Sequence, residues 1–186
     1  MLKSNPSLQE ILVLENAFSV EECEFIKNTI ELRESDVLKM GEKDGYAFAN
    51  RYHLKKNEQT NWIHDRIVYM VKQANQEFFQ FNISFMTGLQ LLEYKEKCYF
   101  DWHIDLGEDL ENYTRKINAL VFLSNPKDYE GGQLKFNMVE VPEIPDIKQE
   151  QGTLVIFPSY RPHSVEPVTK GIRYSLSGIF HGEYFR

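Results

Sequence analysis

The stretch Trp102-His103-Ile104-Asp105 decides how the rest of the chain is interpreted. His103 and Asp105 are two residues apart, and side chains at i and i+2 of an extended strand point to the same face. An imidazole and a carboxylate are therefore predicted to project side by side. Such a pair supplies two of the three ligands of a 2-His-1-carboxylate iron(II) site.

The third ligand must come from further along the chain. His163 is the best candidate, with 57 residues between it and Asp105. It follows Thr153-Leu154-Val155-Ile156-Phe157, a near-continuous apolar run that is typical of a buried strand. The turn after this strand would present His163 at the mouth of a barrel. The other histidines, His53, His64 and His181, lack partners at ligand spacing, and we expect His64 to be a surface or capping residue.

The last apolar run, from Ile172 to Phe180, places Arg173 ten residues after His163. If helices cover the face with Tyr174 and Leu176, then Arg173 and Ser175 point into the barrel. A buried arginine is costly unless it is paired, and its planar fork suits a carboxylate. Its partner is either an acidic residue of the chain or a dicarboxylate cosubstrate.

Tyr94 ends the strand-like run Gln90-Leu91-Leu92-Glu93-Tyr94. Its hydroxyl could contact the same carboxylate as Arg173. The alternative is a tyrosine of the core or the barrel rim.

Composition narrows the class of protein. The chain has 186 residues, 42% of them hydrophobic, which indicates one globular domain. The formal net charge of −7 disfavours nucleic acid as the main partner, because nucleic-acid-binding proteins usually carry a basic patch. There is no apolar run long enough to cross a membrane and no signal peptide, and the only cysteines are Cys23 and Cys98. A cytoplasmic protein is expected.

The order of patterns predicts the fold class. Residues 1–82 contain two amphipathic helical patterns, one after a Ser19-Val20-Glu21-Glu22 capping box and one over roughly residues 58–79, and are expected to form a helical support. The apolar stretch at 11–14 is expected to be an opening strand, and 46–50 a strand or a mobile flap. Residues 83–186 contain short strands separated by turn residues and are expected to form the barrel. A mainly β protein with flanking helices, built on a jelly-roll core, is predicted. The predicted strands of the barrel are 89–94, 99–104, 117–123, 133–136, 153–157 and 172–180.

Several stretches in this order resemble the 2-oxoglutarate/Fe(II)-dependent oxygenases, in their prolyl 4-hydroxylase-like branch. The resemblance implies a double-stranded β-helix with His103, Asp105 and His163 on Fe(II). It also implies that 2-oxoglutarate and O2 are cosubstrates, with Arg173 on the distal carboxylate, helped by Tyr94 and Ser175; a need for ascorbate stays open. The chain departs from the pattern at Lys95-Glu96-Lys97-Cys98, where glycine is frequent, and at Ile179-Phe180, where tryptophan is common. The stretches that carry the resemblance are 89–94, 103–105, 115–124, 129–134, 152–159, 163–168 and 171–175.

The branch predicts hydroxylation of a prolyl or other residue in a peptide or protein. The same chemistry on a free amino acid or another small molecule is an alternative, and so is a non-catalytic barrel that binds metal or ligand. The segments 36–53, with Arg51 and Tyr52, and 106–114 are the expected substrate walls, or else solvated loops. Nothing in the sequence indicates the oligomeric state.

Overall fold

The computed structural model describes residues 11–29, 38–40, 47–107, 112–137 and 147–184. Within these ranges, strands outnumber helices and form one large antiparallel sheet that folds over on itself, plus a two-stranded sheet. The helices are α1 (Val20–Thr29), α2 (Asn61–Ala74), a π-helical turn (Asn75–Phe79) that continues α2, and a short 3-10 helix (Asn112–Thr114). The strands are β1 (Leu12–Leu14), β2 (Leu38–Met40), β3 (Ala47–His53), β4 (Ile83–Met86), β5 (Gln90–Tyr94), β6 (Tyr99–His103), β7 (Arg115–Phe122), β8 (Tyr129–Gly131), β9 (Leu134–Phe136), β10 (Leu154–Pro158), β11 (His163–Val165), β12 (Val168–Gly171) and β13 (Arg173–Gly182).

The strands run in the order β1-β10-β7-β13-β5-β3-β6-β11-β9, with β2 beside β3 and β4 beside β13. Every pairing is antiparallel. β3 pairs with β5 and, at its beginning, with β6, so the sheet turns over at this strand. This arrangement is the predicted double-stranded β-helix, a jelly roll with helices packed on one sheet.

Two apolar clusters form the core, and the alternation along β7 separates them. Ile117, Ala119 and Val121 face α1 and α2, while Leu120 and Phe122 face the barrel interior. The helices bury Cys23 and Ile26 of α1 and an apolar stripe on α2 against the outer face of the sheet. The barrel interior is left for the smaller cluster and for the polar groups described below.

The start of α1 follows the predicted capping box. The backbone N–H of Glu22 donates to Ser19 Oγ at 3.2 Å, and the N–H of Ser19 donates to Glu22 Oε2 at 2.9 Å. The predicted end of this helix near Arg33 lies outside the described residues.

Three expectations about the first part of the chain need correction. Residues 1–82 are not only a helical support, because β1 pairs with β10 and β3 pairs with β5, so both are part of the barrel sheet. α2 begins at Asn61 rather than 58, after a turn in which Thr60 Oγ1 donates to the carbonyl of Lys55. His64 is buried, not on the surface, because it lies on the apolar stripe of α2, where burial lowers its pKa.

No helix in the described part of the chain is long and apolar enough to span a membrane.

Candidate metal centre

His103 and His163 face each other from neighbouring antiparallel strands. His103 ends β6, His163 begins β11, and the two residues are direct partners in the register. Their ring centroids are 4.1 Å apart, and both residues are buried. The strand after Pro162 thus places the third predicted ligand opposite the first, although the two are far apart in sequence.

The backbone sets the orientation of both imidazole rings. His103 Nδ1 donates to the carbonyl of Asp101 at 2.7 Å, and His163 Nδ1 donates to the carbonyl of Arg161 at 3.0 Å. Since Nδ1 carries the hydrogen in each ring, Nε2 keeps a lone pair. An N–H bond to a carbonyl is the usual way in which a protein orients a metal-binding histidine.

Asp105 completes the group, but not from a strand. β6 ends at His103, and Asp105 lies in the bend that follows. The backbone N–H of Asp105 donates to the carbonyl of Ser159 at 2.9 Å. The carboxylate oxygens lie 4.0 Å from His103 Nε2 and 3.5 Å from His163 Nε2. The three ligand atoms are all within 4.8 Å of one another, a spacing that suits a shared metal ion.

The electrostatics of the group favour a divalent cation. The pKa of His103 is lowered to about 4. Burial is the largest cause, and the nearby His163 also lowers the pKa, by more than the Asp105 carboxylate raises it. His103 is therefore neutral at pH 7, as a metal-binding imidazole must be. Two nitrogens and one carboxylate oxygen on one side form the donor set of mononuclear Fe(II) sites, so the residues fit Fe(II).

Arg173 is the second unusual group of the barrel interior. It is 1% exposed, and its Nη1 donates to Ser175 Oγ at 3.3 Å. Its Nε and Nη2 are buried without a hydrogen-bond partner, and no carboxylate of the described residues pairs with it. A buried guanidinium with unused donors fits an anionic ligand, such as the distal carboxylate of 2-oxoglutarate.

Tyr94 and Ser175 lie beside Arg173. Tyr94 is its register partner on β5, and its ring lies 5.2 Å from the guanidinium carbon. Burial raises the pKa of Tyr94 to about 12, so its hydroxyl stays protonated. Ser175 is fully buried on the same face of β13. The structure thus brings together the three residues that the sequence assigned to the cosubstrate.

A cavity of roughly 300 Å³ opens onto the two histidines and Asp105. Ser177 and Ile179 line it, which places the Arg173 face of β13 inside the barrel as predicted. Its wall also contains Tyr94, Arg51, Arg115, Asn118, Leu92 and Leu120.

Of the two predicted substrate residues, only Arg51 lines this cavity. Tyr52 points to the other face of β3, where its hydroxyl donates to Glu93 Oε2 at 3.1 Å. Neighbouring residues of a strand face opposite sides, so Arg51 and Tyr52 are not brought to one site. The 36–53 segment is described only at 38–40 and 47–53, and the 106–114 segment lacks 108–111, so the predicted walls lie partly outside the described residues.

With this geometry in place, comparisons with known proteins give the family. The family model of the 2OG-Fe(II) oxygenase superfamily matches residues 89–181, half of the chain. The chain belongs to the 2OG-Fe(II) oxygenase superfamily. The matched residues include all three members of the metal-ligand group, together with Tyr94 and Arg173.

Relatives with sequence similarity are hydroxylases by name. A PKHD-type hydroxylase of Cupriavidus metallidurans is 32% identical over 85 residues, which are 43% of this chain and 36% of the relative. A PKHD-type hydroxylase of Synechococcus is 44% identical over 59 residues, 32% of this chain and 25% of the relative. The chain thus spans only about a third or less of the length of these relatives.

Solved structures share the fold of this oxygenase at low sequence identity. A Pseudomonas putida prolyl-4-hydroxylase superposes with a TM-score of 0.76 at 17% identity, covering 94% of this chain and 93% of that one. A Trichoplax adhaerens prolyl hydroxylase, solved with a hypoxia inducible factor peptide fragment, gives 0.74 at 18% identity, covering 93% and 84%. Membership in the superfamily implies Fe(II), 2-oxoglutarate and O2 as the reacting set.

Sequence reasoning missed two polar residues of the oxygenase site. Arg115 Nη1 donates to the backbone carbonyl of Asp105 at 3.1 Å, and Asn118 Nδ2 donates to Asp105 Oδ2. A signal existed for Asn118, because it interrupts the apolar run of β7 on the interior face, and a buried amide requires partners. The identity of those partners depends on the strand register, which the sequence does not provide.

Proposed function

We propose that this chain is an Fe(II)- and 2-oxoglutarate-dependent dioxygenase that hydroxylates a C–H bond of a prolyl or other residue in a peptide or protein. The observation that carries the proposal is the convergence of His103, Asp105 and His163 at a cavity whose wall includes Tyr94. The Tyr94 ring lies 5.2 Å from the guanidinium carbon of Arg173, a buried cation with two unused donor nitrogens. A structural ion pair would use up those donors, whereas a cosubstrate site keeps them available.

Bound Fe(II), with 2-oxoglutarate and O2, would supply the oxidative chemistry that inserts one oxygen atom into a C–H bond. His103, Asp105 and His163 would hold the metal from one side, which would leave the coordination positions toward the cavity for ligands. Arg173 would bind the far carboxylate of 2-oxoglutarate through its Nε and Nη2 hydrogens, with Ser175 holding Nη1. Leu92, Leu120 and Ile179 of the cavity wall would exclude water from the reacting groups.

A peptide substrate is supported by the solved relatives, one of which carries a bound peptide fragment. Arg51 and Arg115 both line the cavity and could donate to substrate carbonyl oxygens. The same two guanidinium groups would equally suit the carboxylate of a free amino acid, which is therefore the second candidate substrate.

We also propose a reducing compartment such as the cytoplasm as the place of action. Cys23 and Cys98 are both free thiols, and burial raises the pKa of Cys23 to about 12, which makes it unreactive.

The decisive experiment measures succinate formation from 2-oxoglutarate and searches by mass spectrometry for the gain of one oxygen atom. Proline-containing peptides, free proline and short oligonucleotides are the substrate arms. Activity should require Fe(II), and Asp105→Ala should abolish most of the Fe(II) affinity and turnover. Wild-type iron content in both His103→Ala and His163→Ala would contradict the metal assignment, and product on the oligonucleotides alone would contradict the substrate class.

The role of Arg51 has its own test in the same assay. Arg51→Ala should weaken peptide turnover while leaving uncoupled decay of 2-oxoglutarate nearly intact, because the residue would contact substrate rather than cosubstrate. Equal losses of both reactions would contradict a substrate-binding role.

A further inference from the structure

Asn118 is a buried amide beside the metal-ligand group. It is 3% exposed on β7, on the face that otherwise buries Leu120 and Phe122 in the barrel interior. An amide in such a position must bond both its nitrogen and its oxygen, or its burial costs free energy. The two partners of Asn118 identify what the residue does.

Asn118 links a serine to the carboxylate of Asp105. Its Nδ2 donates to Asp105 Oδ2, and its Oδ1 accepts a hydrogen bond from Ser159 Oγ at 2.9 Å. A carboxylate can only accept, so the amide nitrogen must face Asp105 and the amide oxygen must face Ser159. The carboxylate therefore fixes the orientation of the amide, and the serine hydroxyl donates to the amide oxygen in that orientation.

Ser159 also holds the backbone of the same bend. It is fully buried, and its carbonyl accepts from the N–H groups of Asp105 at 2.9 Å and Leu106 at 3.0 Å. It lies four residues before His163 in the same loop. One serine thus connects the loop of the third ligand to both the main chain and, through Asn118, the side chain of Asp105.

We propose that Asn118 is a positioning residue that fixes the orientation in which the Asp105 carboxylate faces the two histidines. Rotation of the carboxylate away from this orientation would break the hydrogen bond from Asn118 and leave its buried amide nitrogen without that partner. The inference rests on the metal role in the proposed function and adds a requirement on how Asp105 is held.

The test uses Co(II), whose visible absorption spectrum reports the number and arrangement of its ligands, and a chelator competition that gives its affinity. Asn118→Leu keeps a side chain of similar size and removes the donor. It should weaken Co(II) binding by about 10- to 100-fold, the usual effect of removing a partner of a metal ligand, and change the spectrum. Ser159→Ala should weaken Co(II) binding and change the spectrum as well, but to a smaller extent than Asn118→Leu.

Asn75→Leu is the matched control. Asn75 is another buried asparagine, whose amide bonds the backbone of Phe81 just after the π-helical turn rather than a member of the metal-ligand group. It should lower the melting temperature without changing the Co(II) affinity or spectrum. If Asn118→Leu keeps the Co(II) affinity and spectrum of the wild type, the inference is overturned. If Asn118→Leu does not fold, the same comparison is made with Ser159→Ala, and wild-type Co(II) affinity and spectrum in that variant would overturn the inference. Failure of the wild type itself to bind Co(II) or Fe(II) would instead overturn the proposed function.

Discussion

Two charged side chains are buried on the adjacent strands β5 and β13, and their surroundings differ. Glu93 faces the outer side of the sheet and accepts hydrogen bonds from Asn50 at 2.6 Å, Tyr52 at 3.1 Å and Tyr174 at 2.8 Å, with Lys95 Nζ at 3.5 Å. Arg173 faces the barrel interior and has one hydroxyl partner, at 3.3 Å. The same pair of strands therefore contains a saturated charge on one side and an unsaturated charge on the other.

We interpret this difference as the difference between a structural charge, Glu93, and a charge that binds a ligand, Arg173. A buried charge is tolerated when its hydrogen-bonding capacity is used, and Glu93 fulfils this condition within the chain. Burial alone would raise the pKa of Glu93, but the bonds from Asn50, Tyr174 and Tyr52 and the nearby Lys95 outweigh it, and the pKa is lowered. No carboxylate of the described residues fulfils it for Arg173, and we propose that a bound anion does.

The largest expected effect is that of Arg173→Ala on cosubstrate binding. It should raise the apparent constant for 2-oxoglutarate by about ten-fold or more, because a charge-assisted contact contributes on the order of 1.5–3 kcal/mol. Steady-state kinetics with varied 2-oxoglutarate measure it. Arg173→Met, which keeps the volume, should leave the unfolding free energy of the metal-free protein unchanged or higher. A clear loss of stability in Arg173→Met would place Arg173 with Glu93 as a structural charge.

Glu93→Gln should show the opposite behaviour. The amide cannot accept from all the donors around it, so we expect the unfolding free energy to fall by about 1–3 kcal/mol in chemical denaturation. The 2-oxoglutarate constant of the folded variant should change little. Glu130→Gln is the control, since Glu130 forms an exposed ion pair with Lys170 and should matter by less than about 1 kcal/mol. A large rise in the 2-oxoglutarate constant of Glu93→Gln would remove the distinction between the two charges.

The stabilisation from Glu93 should also depend on pH. Its pKa in the folded protein is lowered from 4.5, so the unfolded chain binds the proton at higher pH than the folded one. The stability difference between wild type and Glu93→Gln should be constant above about pH 5.5 and shrink as the pH falls below 4.5. A difference that grows on acidification would contradict the assigned direction.

A smaller effect is expected from Gly132→Ala, which acts on Arg173 indirectly. Gly132 has a φ of +67°, and an added Cβ would lie 2.8 Å from Arg173 Cδ. Because the added Cβ would displace the arginine side chain, the substitution should raise the apparent constant for 2-oxoglutarate several-fold. Backbone strain of about 1–2 kcal/mol, typical for a left-handed residue with a side chain, is expected in addition. Gly88→Ala is the control, because nothing lies within 4 Å of its added Cβ. Equal kinetics of the two variants would show that Arg173 does not need this contact.

The sequence predicted that His103, Asp105 and His163 come together, and it predicted the face of Arg173, because both depend on spacing and on strand alternation. It derived the pairing of His103 and Asp105 from strand alternation, whereas Asp105 follows the end of β6 in a bend whose backbone bonds to Ser159. It grouped Arg51 with Tyr52, although adjacent residues of β3 face opposite sides. Partners that come together through strand register, as for Glu93 and Asn118, could not be predicted from one sequence.

The central claim is our proposal that Arg173 binds the distal carboxylate of 2-oxoglutarate at the metal centre. The most direct measurement is an anaerobic titration of the Fe(II)-loaded wild type and Arg173→Met with 2-oxoglutarate and with 2-oxopentanoate, which lacks the distal carboxylate. The wild type should prefer 2-oxoglutarate by about ten-fold or more, and Arg173→Met should lose most of that preference. A preference of equal size in both proteins would contradict the claim.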